Sequence, residues 1–195
     1  MYKSRDIEAQ IRDDWFPEHK ATYTEHGDLK VLTWKKEGTI CYYVRYVFDG
    51  GRMYVSGDLG EAVFCFTEKA DVHIQSQYSL DYFISKLQAY HGATKDFDSE
   101  KAVARLREWL KELKENEVTY DHDQMRDFFD EARSCSSTQE WAWIINKSDF
   151  LGEIEIDFWE WMYGVGDATP LRMQSYLIGL KMAAEQLRNA EKATA

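Results

Sequence analysis

Asp121-His122-Asp123 sets two carboxylates around an imidazole within three residues, the densest local grouping of proton-moving side chains in the chain. Neighbouring residues do not face one another on a helix, and Asp at a helix start favours the positive end of the dipole, so the triplet reads as a cap rather than an acid–base pair. Asp149, Glu153, Glu155, Asp157 and Glu160 offer the oxygen ligands that magnesium requires. They align at i, i+2 and i+4 only in an extended segment, where exposed carboxylates are ordinarily just solvated. The five histidines, His19, His26, His73, His91 and His122, stand singly, with none three or four residues from another, so no single helix presents a metal-binding pair. Cys41, Cys65 and Cys135 form an odd set without CxxC spacing, which indicates neither a disulfide framework nor a zinc site. Phosphate-cradling loops of the G-x-x-x-x-G-K-[ST] or G-x-G-x-x-G type, H-E-x-x-H and G-x-S-x-G are missing. The remaining chemistry-bearing stretch is Ser56-Gly57-Asp58-Leu59-Gly60. Its glycine-turn amides can bind an anion, although the same residues are ordinary turn formers in which Asp bonds nearby backbone amides. No catalytic residue, metal ligand or cofactor is assigned. A small nucleotide- or anion-binding enzyme with its site at Ser56, Gly57, Asp58 and Gly60 stands as the second functional reading.

Charge and aromatic content carry the first reading. The 195 residues have a net charge of −11. Residues 115–160 hold 13 acidic and three basic side chains, hence −10, so nearly all of the net charge sits in 46 residues. Such a run is either a solvated helix face or a directed negative field that repels nucleic acid and attracts basic, nucleic-acid-binding surfaces. Trp141/Trp143 and Trp159/Trp161 lie in the same stretch at i, i+2. That spacing puts both rings on one face of a strand or on different sides of a helix, so in helices one ring of each pair is a candidate interface anchor with a charged rim, against the alternative of core packing on the sheet. No basic stripe exists, which excludes nucleic acid as a direct ligand. No segment approaches the length and apolarity of a membrane span or signal peptide, so the expectation is a cytoplasmic chain with reduced thiols and no membrane partner.

The elements that must position these residues change character along the chain. Ser4 can cap a short helix to about Trp15. Leu29–Trp34, Thr39–Phe48 and the Met53–Phe66 hairpin then read as strands joined by turns too short for parallel crossovers. From about residue 70 the apolar period becomes helical. Helices are expected over Leu80–Tyr90, from Asp98-Ser99-Glu100, from Asp121 or Asp123, after Ser136-Ser137-Thr138, and from Thr169-Pro170 to about Asn189. Ile154–Tyr163 alternates like a strand at its start and closes like a helix at its end. The expected fold class is α+β in one domain over 1–195. Its N-terminal part, about 1–68, is a short helix and an antiparallel four-stranded meander, packed against about five helices in 69–190.

Tyr54-Val-Ser-Gly-Asp-Leu-Gly-Glu-Ala-Val-Phe64, with Pro170-Leu-Arg and Leu177-Ile-Gly-Leu-Lys-Met-Ala183, resembles segments of small accessory proteins carried by bacteriophages and prophages. The resemblance implies a phage gene product working in bacterial cytoplasm and carries over no catalytic residue. Small acidic phage proteins of this kind look like inhibitors of host defence, anti-CRISPR and anti-restriction proteins among them. The expected function is therefore a non-enzymatic defence inhibitor whose partner is a host nucleic-acid-binding protein, a CRISPR effector or similar. Its contact surface is expected at Asp149, Glu153, Glu155, Asp157 and Glu160, with Trp141, Trp143, Trp159 and Trp161 as anchors. A self-associating structural or regulatory phage protein is the third reading.

Overall fold

Leu32 and Trp34, then Val44, Tyr46 and Phe48, then Met53 and Val55 alternate with more exposed neighbours, and all seven are buried. That period of two builds an antiparallel sheet with one face on the core. The computed structural model describes residues 7–194; the expected Ser4 cap lies outside them. Helix α1 (Ile7–Gln10) runs into a wider π turn (Ile11–Trp15). Strands β1 (Lys20–His26), β2 (Leu29–Lys35), β3 (Val44–Asp49), β4 (Arg52–Gly57) and β5 (Ala62–Cys65) follow. After α2 (Val72–Gln75) and α3 (Leu80–Ser85) comes β6 (Leu87–Tyr90), and the six strands pair antiparallel in chain order. The chain continues through β7 (Asp96–Phe97), α4 (Ser99–Glu115), α5 (His122–Ser134), α6 (Thr138–Lys147), α7 (Phe150–Ile154), α8 (Trp159–Met162) and β8 (Asp167–Ala168), and ends in α9 (Leu171–Thr194). The class is α+β.

The sheet is wider than the four strands expected, for two physical reasons. Strand β1, Lys-Ala-Thr-Tyr-Thr-Glu-His, is an edge strand with mostly exposed side chains, so it carries little apolar signal. At the other edge, the helix expected over Leu80–Tyr90 stops at Ser85, and Leu87–Tyr90 supplies backbone partners to β5 instead. Cys65 N donates to Lys86 O at 2.9 Å and His91 N to Glu61 O at 2.9 Å. The strand expected from Thr39 begins only at Val44, because Tyr42 adopts a positive φ of 55° and Tyr43 N closes a turn onto Ile40 O.

Residues up to 93 join those from 171 onward in one compact unit, and Thr94–Pro170 form a second. In the first, α9 contributes Tyr176, Leu177, Leu180, Ala183 and Ala184 to the core that the sheet lines. Two tyrosines clamp it. Tyr46 donates its hydroxyl to Tyr176 O at 2.8 Å, and Tyr176 donates its own to Leu59 O at 2.8 Å. Burial raises the pKa of both phenols. Gln186 adds a clasp to the N-terminal region, accepting from Ala21 N at 3.1 Å and donating to His19 O at 2.8 Å.

Asp71 ties α2 to the sheet. Its carboxylate accepts from His73 N at 2.8 Å, capping the helix, and from Lys30 Nζ at 2.6 Å. Burial opposes its ionisation, but the Lys30 and His73 hydrogen bonds outweigh that and hold its pKa below the usual 3.8. A depressed carboxylate contributes stability above its unfolded-state pKa and loses it as pH falls through the folded value. Asp71→Asn is therefore expected to lower the melting temperature at pH 7 and to shrink the further drop that wild type shows below about pH 4. Equal drops in both proteins on acidification would remove Asp71 as a contributor.

In the second unit, α4 buries Val103, Leu106, Trp109 and Leu113 against Met125, Phe128, Phe129 and Ala132 of α5, with Trp141, Ile144 and Ile145 of α6 completing the core. Each of these helices opens on a side-chain cap. Asp98 accepts from Lys101 N, Asp121 from Asp123 N and Gln124 N, and Ser137 from Glu140 N, while the Glu140 carboxylate reaches back to Ser136 N at 2.8 Å. Asp121-His122-Asp123 is thus a helix start. β7 and β8 pair antiparallel, Asp96 opposite Ala168, and bring the two ends of this unit together.

Candidate functional site

The acidic, Trp-bearing stretch occupies α6, α7, α8 and the turn between the last two. Side chains reach different environments there because helix geometry separates i from i+2. Trp141 is only 1% exposed and donates its indole N–H to Met162 O at 2.9 Å, which removes it from the predicted surface anchors. The reason is volume: its ring fills the space between Phe97 and Phe128, with centroids 5.5 and 5.3 Å away. Trp143, two residues on, is 62% exposed, with the Lys147 ammonium 4.1 Å above its ring.

Glu155 also departs from the expectation of a free surface carboxylate. It is half-buried and accepts from both Trp109 Nε1 at 2.9 Å and Trp161 Nε1 at 3.2 Å. The Arg105 guanidinium covers the Trp161 ring at 4.8 Å. Glu155 and Trp161 therefore form an internal bracket that fixes the turn. Leaving two indole donors without an acceptor is what the bracket prevents.

The bracket holds out the rest of the segment. Ile154–Tyr163, ambiguous in sequence, is the end of α7, a turn, and the single turn of α8. Asp149, Glu153, Asp157 and Glu160 are exposed, and among the described residues none of the four forms an ion pair. Between them stand Ile156 at 82% and Trp159 at 56% exposure. Tyr163 donates its hydroxyl to Asn146 Oδ1, joining this segment to the helix that carries Trp143. Sequence reasoning missed Ile156. Its alternation with Glu155 and Asp157 was visible, but alternation implies an apolar side turned inward, and here Ile156 points to solvent.

The Ser56–Gly60 turn is built differently from an anion cradle. Gly57 has φ +138°, and a Cβ there would lie 2.2 Å from Tyr43 O, so glycine is required by close backbone approach. Asp58 N donates to Tyr43 O at 2.9 Å, Gly60 N to Gly57 O at 3.2 Å, and the Asp58 carboxylate accepts from Tyr42 N at 2.8 Å. These amides and this carboxylate hold the loop before β3. Among the described residues no three or more His, Cys, Asp or Glu side chains gather to hold a metal ion, and no helix is long and apolar enough to cross a membrane.

The fold and surface define an α+β protein with an acidic, aromatic-studded helical unit. The model of a phage family matches residues 72–187, which is 116 of 195 positions and includes all of the second unit, so the chain belongs to that phage protein family. No curated protein and no solved structure matches it.

Proposed function

We propose that the chain is a phage-encoded, non-enzymatic inhibitor of a bacterial defence system, acting in the host cytoplasm on a nucleic-acid-handling protein such as a CRISPR effector. The observation that carries this reading is the set of four exposed carboxylates, Asp149, Glu153, Asp157 and Glu160, without an ion pair among the described residues and interleaved with exposed Ile156 and Trp159. Exposed apolar groups beside a charged rim are the ordinary anatomy of a binding patch. The second unit as a whole holds 19 acidic and nine basic residues, hence −10, against 16 and 15, hence −1, in the first. A field of that sign complements a basic nucleic-acid groove and repels nucleic acid itself.

The test is capture of partners by the tagged chain from nuclease-treated bacterial lysate at low and high salt. A nucleic-acid-binding host protein is expected to bind at low salt and to be released near 1 M, where the screening length falls to about 3 Å. The variant with Asp149, Glu153, Asp157 and Glu160 all changed to Lys should melt like wild type and capture none of it. Undiminished capture by that variant would sink the proposal. Glu155 is left intact because its loss would unsettle the turn.

A further inference from the structure

A groove of about 340 Å³ between α4 and α5 runs against the charge of its surroundings. Four of the second unit's nine basic residues, Arg107, Lys114, Arg126 and Arg133, line it together with His122, and the nine lining residues include no carboxylate. In a unit with 19 acidic side chains, that segregation is the opposite of the charge mixing that solvated helices show elsewhere in it. On α4 itself, Arg105 pairs with Glu112 at 3.3 Å and Lys111 with Glu115 at 3.5 Å. Arg107 and Lys114 have no ion-pair partner among the described residues.

The spacing explains how the bases converge. Arg107 and Lys114 are seven residues apart, as are Arg126 and Arg133, so each helix sends two bases from one face, two turns apart. Arg126 is held by Asp123 at 2.9 Å and Arg133 by Asp130, which leaves Arg107 and Lys114 as the uncompensated charges. Beneath them the floor is apolar. Met125 and Phe129 are buried and Leu110 half-buried, and the Tyr120 and His122 rings meet edge to face at 4.8 Å at one end. Free cations above an apolar and aromatic floor suit a ligand with a flat apolar part and a concentrated negative charge. The volume lies in the range of small-molecule sites, and the free cations suit a phosphate.

We propose that the α4–α5 groove binds a small phosphorylated aromatic molecule of mononucleotide size. None of the groove's lining residues belongs to the acidic surface or to the Ser56–Gly60 turn. Titration calorimetry of the four nucleoside monophosphates into the full chain tests it, with adenosine and inorganic phosphate as single-feature probes. At least one nucleotide is expected to bind at least about tenfold more tightly than either half alone, because neither half engages both floor and cations. The double variant Arg107→Gln/Lys114→Gln should keep the wild-type melting temperature and weaken that binding by about tenfold or more. No binding of any nucleotide at millimolar concentration, or equal binding by the double variant, overturns the assignment. So does capture of a Glu-rich peptide in the groove without nucleotide binding.

Discussion

Trp141→Ala is expected to destabilise the second unit by about 3–5 kcal/mol, the usual result of truncating a buried large aromatic. The ring is almost wholly inaccessible, packs against Phe97 and Phe128, and donates to Met162 O. Its removal opens a cavity between α5 and α6 and takes one of two hydrogen bonds from the Met162 carbonyl, which still accepts from Val165 N, so transfer, cavity and hydrogen-bond losses all act in one direction. Native domains are stable by only about 5–15 kcal/mol, so this one change takes a large share of the whole. Urea unfolding followed by helical circular dichroism measures it. Trp143→Ala is the internal comparison, since an exposed ring away from the core is expected to move stability by no more than about 0.5 kcal/mol. Midpoints that shift equally for the two variants would contradict the placement of both indoles.

The second large effect lies in α9. A Cβ at Gly179 would meet Tyr46 Oη at 2.9 Å and the Phe16 and Trp34 rings at 3.2 Å. Alanine normally gains about 1 kcal/mol over glycine in a helix interior, but here the helix sits too close to the sheet for that gain to appear. Gly179→Leu is expected to cost about 3 kcal/mol, because the side chain can be housed only by moving α9 off the sheet or forcing three aromatic side chains from their rotamers. Gly179→Ala should cost less, and adding Tyr46→Phe to it, which deletes the nearest atom but also the hydrogen bond to Tyr176 O, should cost less than the roughly 0.5–1.5 kcal/mol that such a bond normally contributes. Denaturant midpoints of the four proteins decide the matter; a Gly179→Leu chain as stable as wild type would mean that α9 packs elsewhere.

Strands β2 to β5 were readable because Tyr46 and Phe48, or Met53 and Val55, alternate with more exposed neighbours and turns interrupt them. β1 was not, since Thr22, Thr24 and Glu25 owe their strand state to pairing with Thr33, Val31 and Lys30 rather than to any apolar face. β6 was misread for a similar reason. Tyr82, Phe83, Leu87 and Tyr90 satisfy a helical stripe, and only the open edge of β5 selects an extended chain after Ser85. In the candidate surface, the sign and location of the charge were legible by counting. Trp141 shares the i, i+3, i+4 stripe with Ile144 and Ile145 that Trp143 leaves, a signal the i, i+2 pairing of the tryptophans obscured, whereas nothing in the sequence separated solvated Glu153 from Glu155 under its two indoles. The cationic groove stayed hidden because its bases come from two helices and are averaged away in any count along the chain.

The order of elements also sets a timetable for synthesis. The sheet is complete when residue 93 has been made, yet α9, which packs on it, starts at Leu171, with 77 residues in between. At about 5–20 residues per second, a ribosome needs roughly 4–15 s to reach the start of that helix. For that interval Tyr46, whose hydroxyl bonds Tyr176 O and lies against Gly179, waits without its α9 partners while Thr94–Pro170 is still being made. Nascent chains stalled anywhere before α9 should therefore be clients of hydrophobic-surface chaperones, and a host short of such chaperones should accumulate this protein as aggregate.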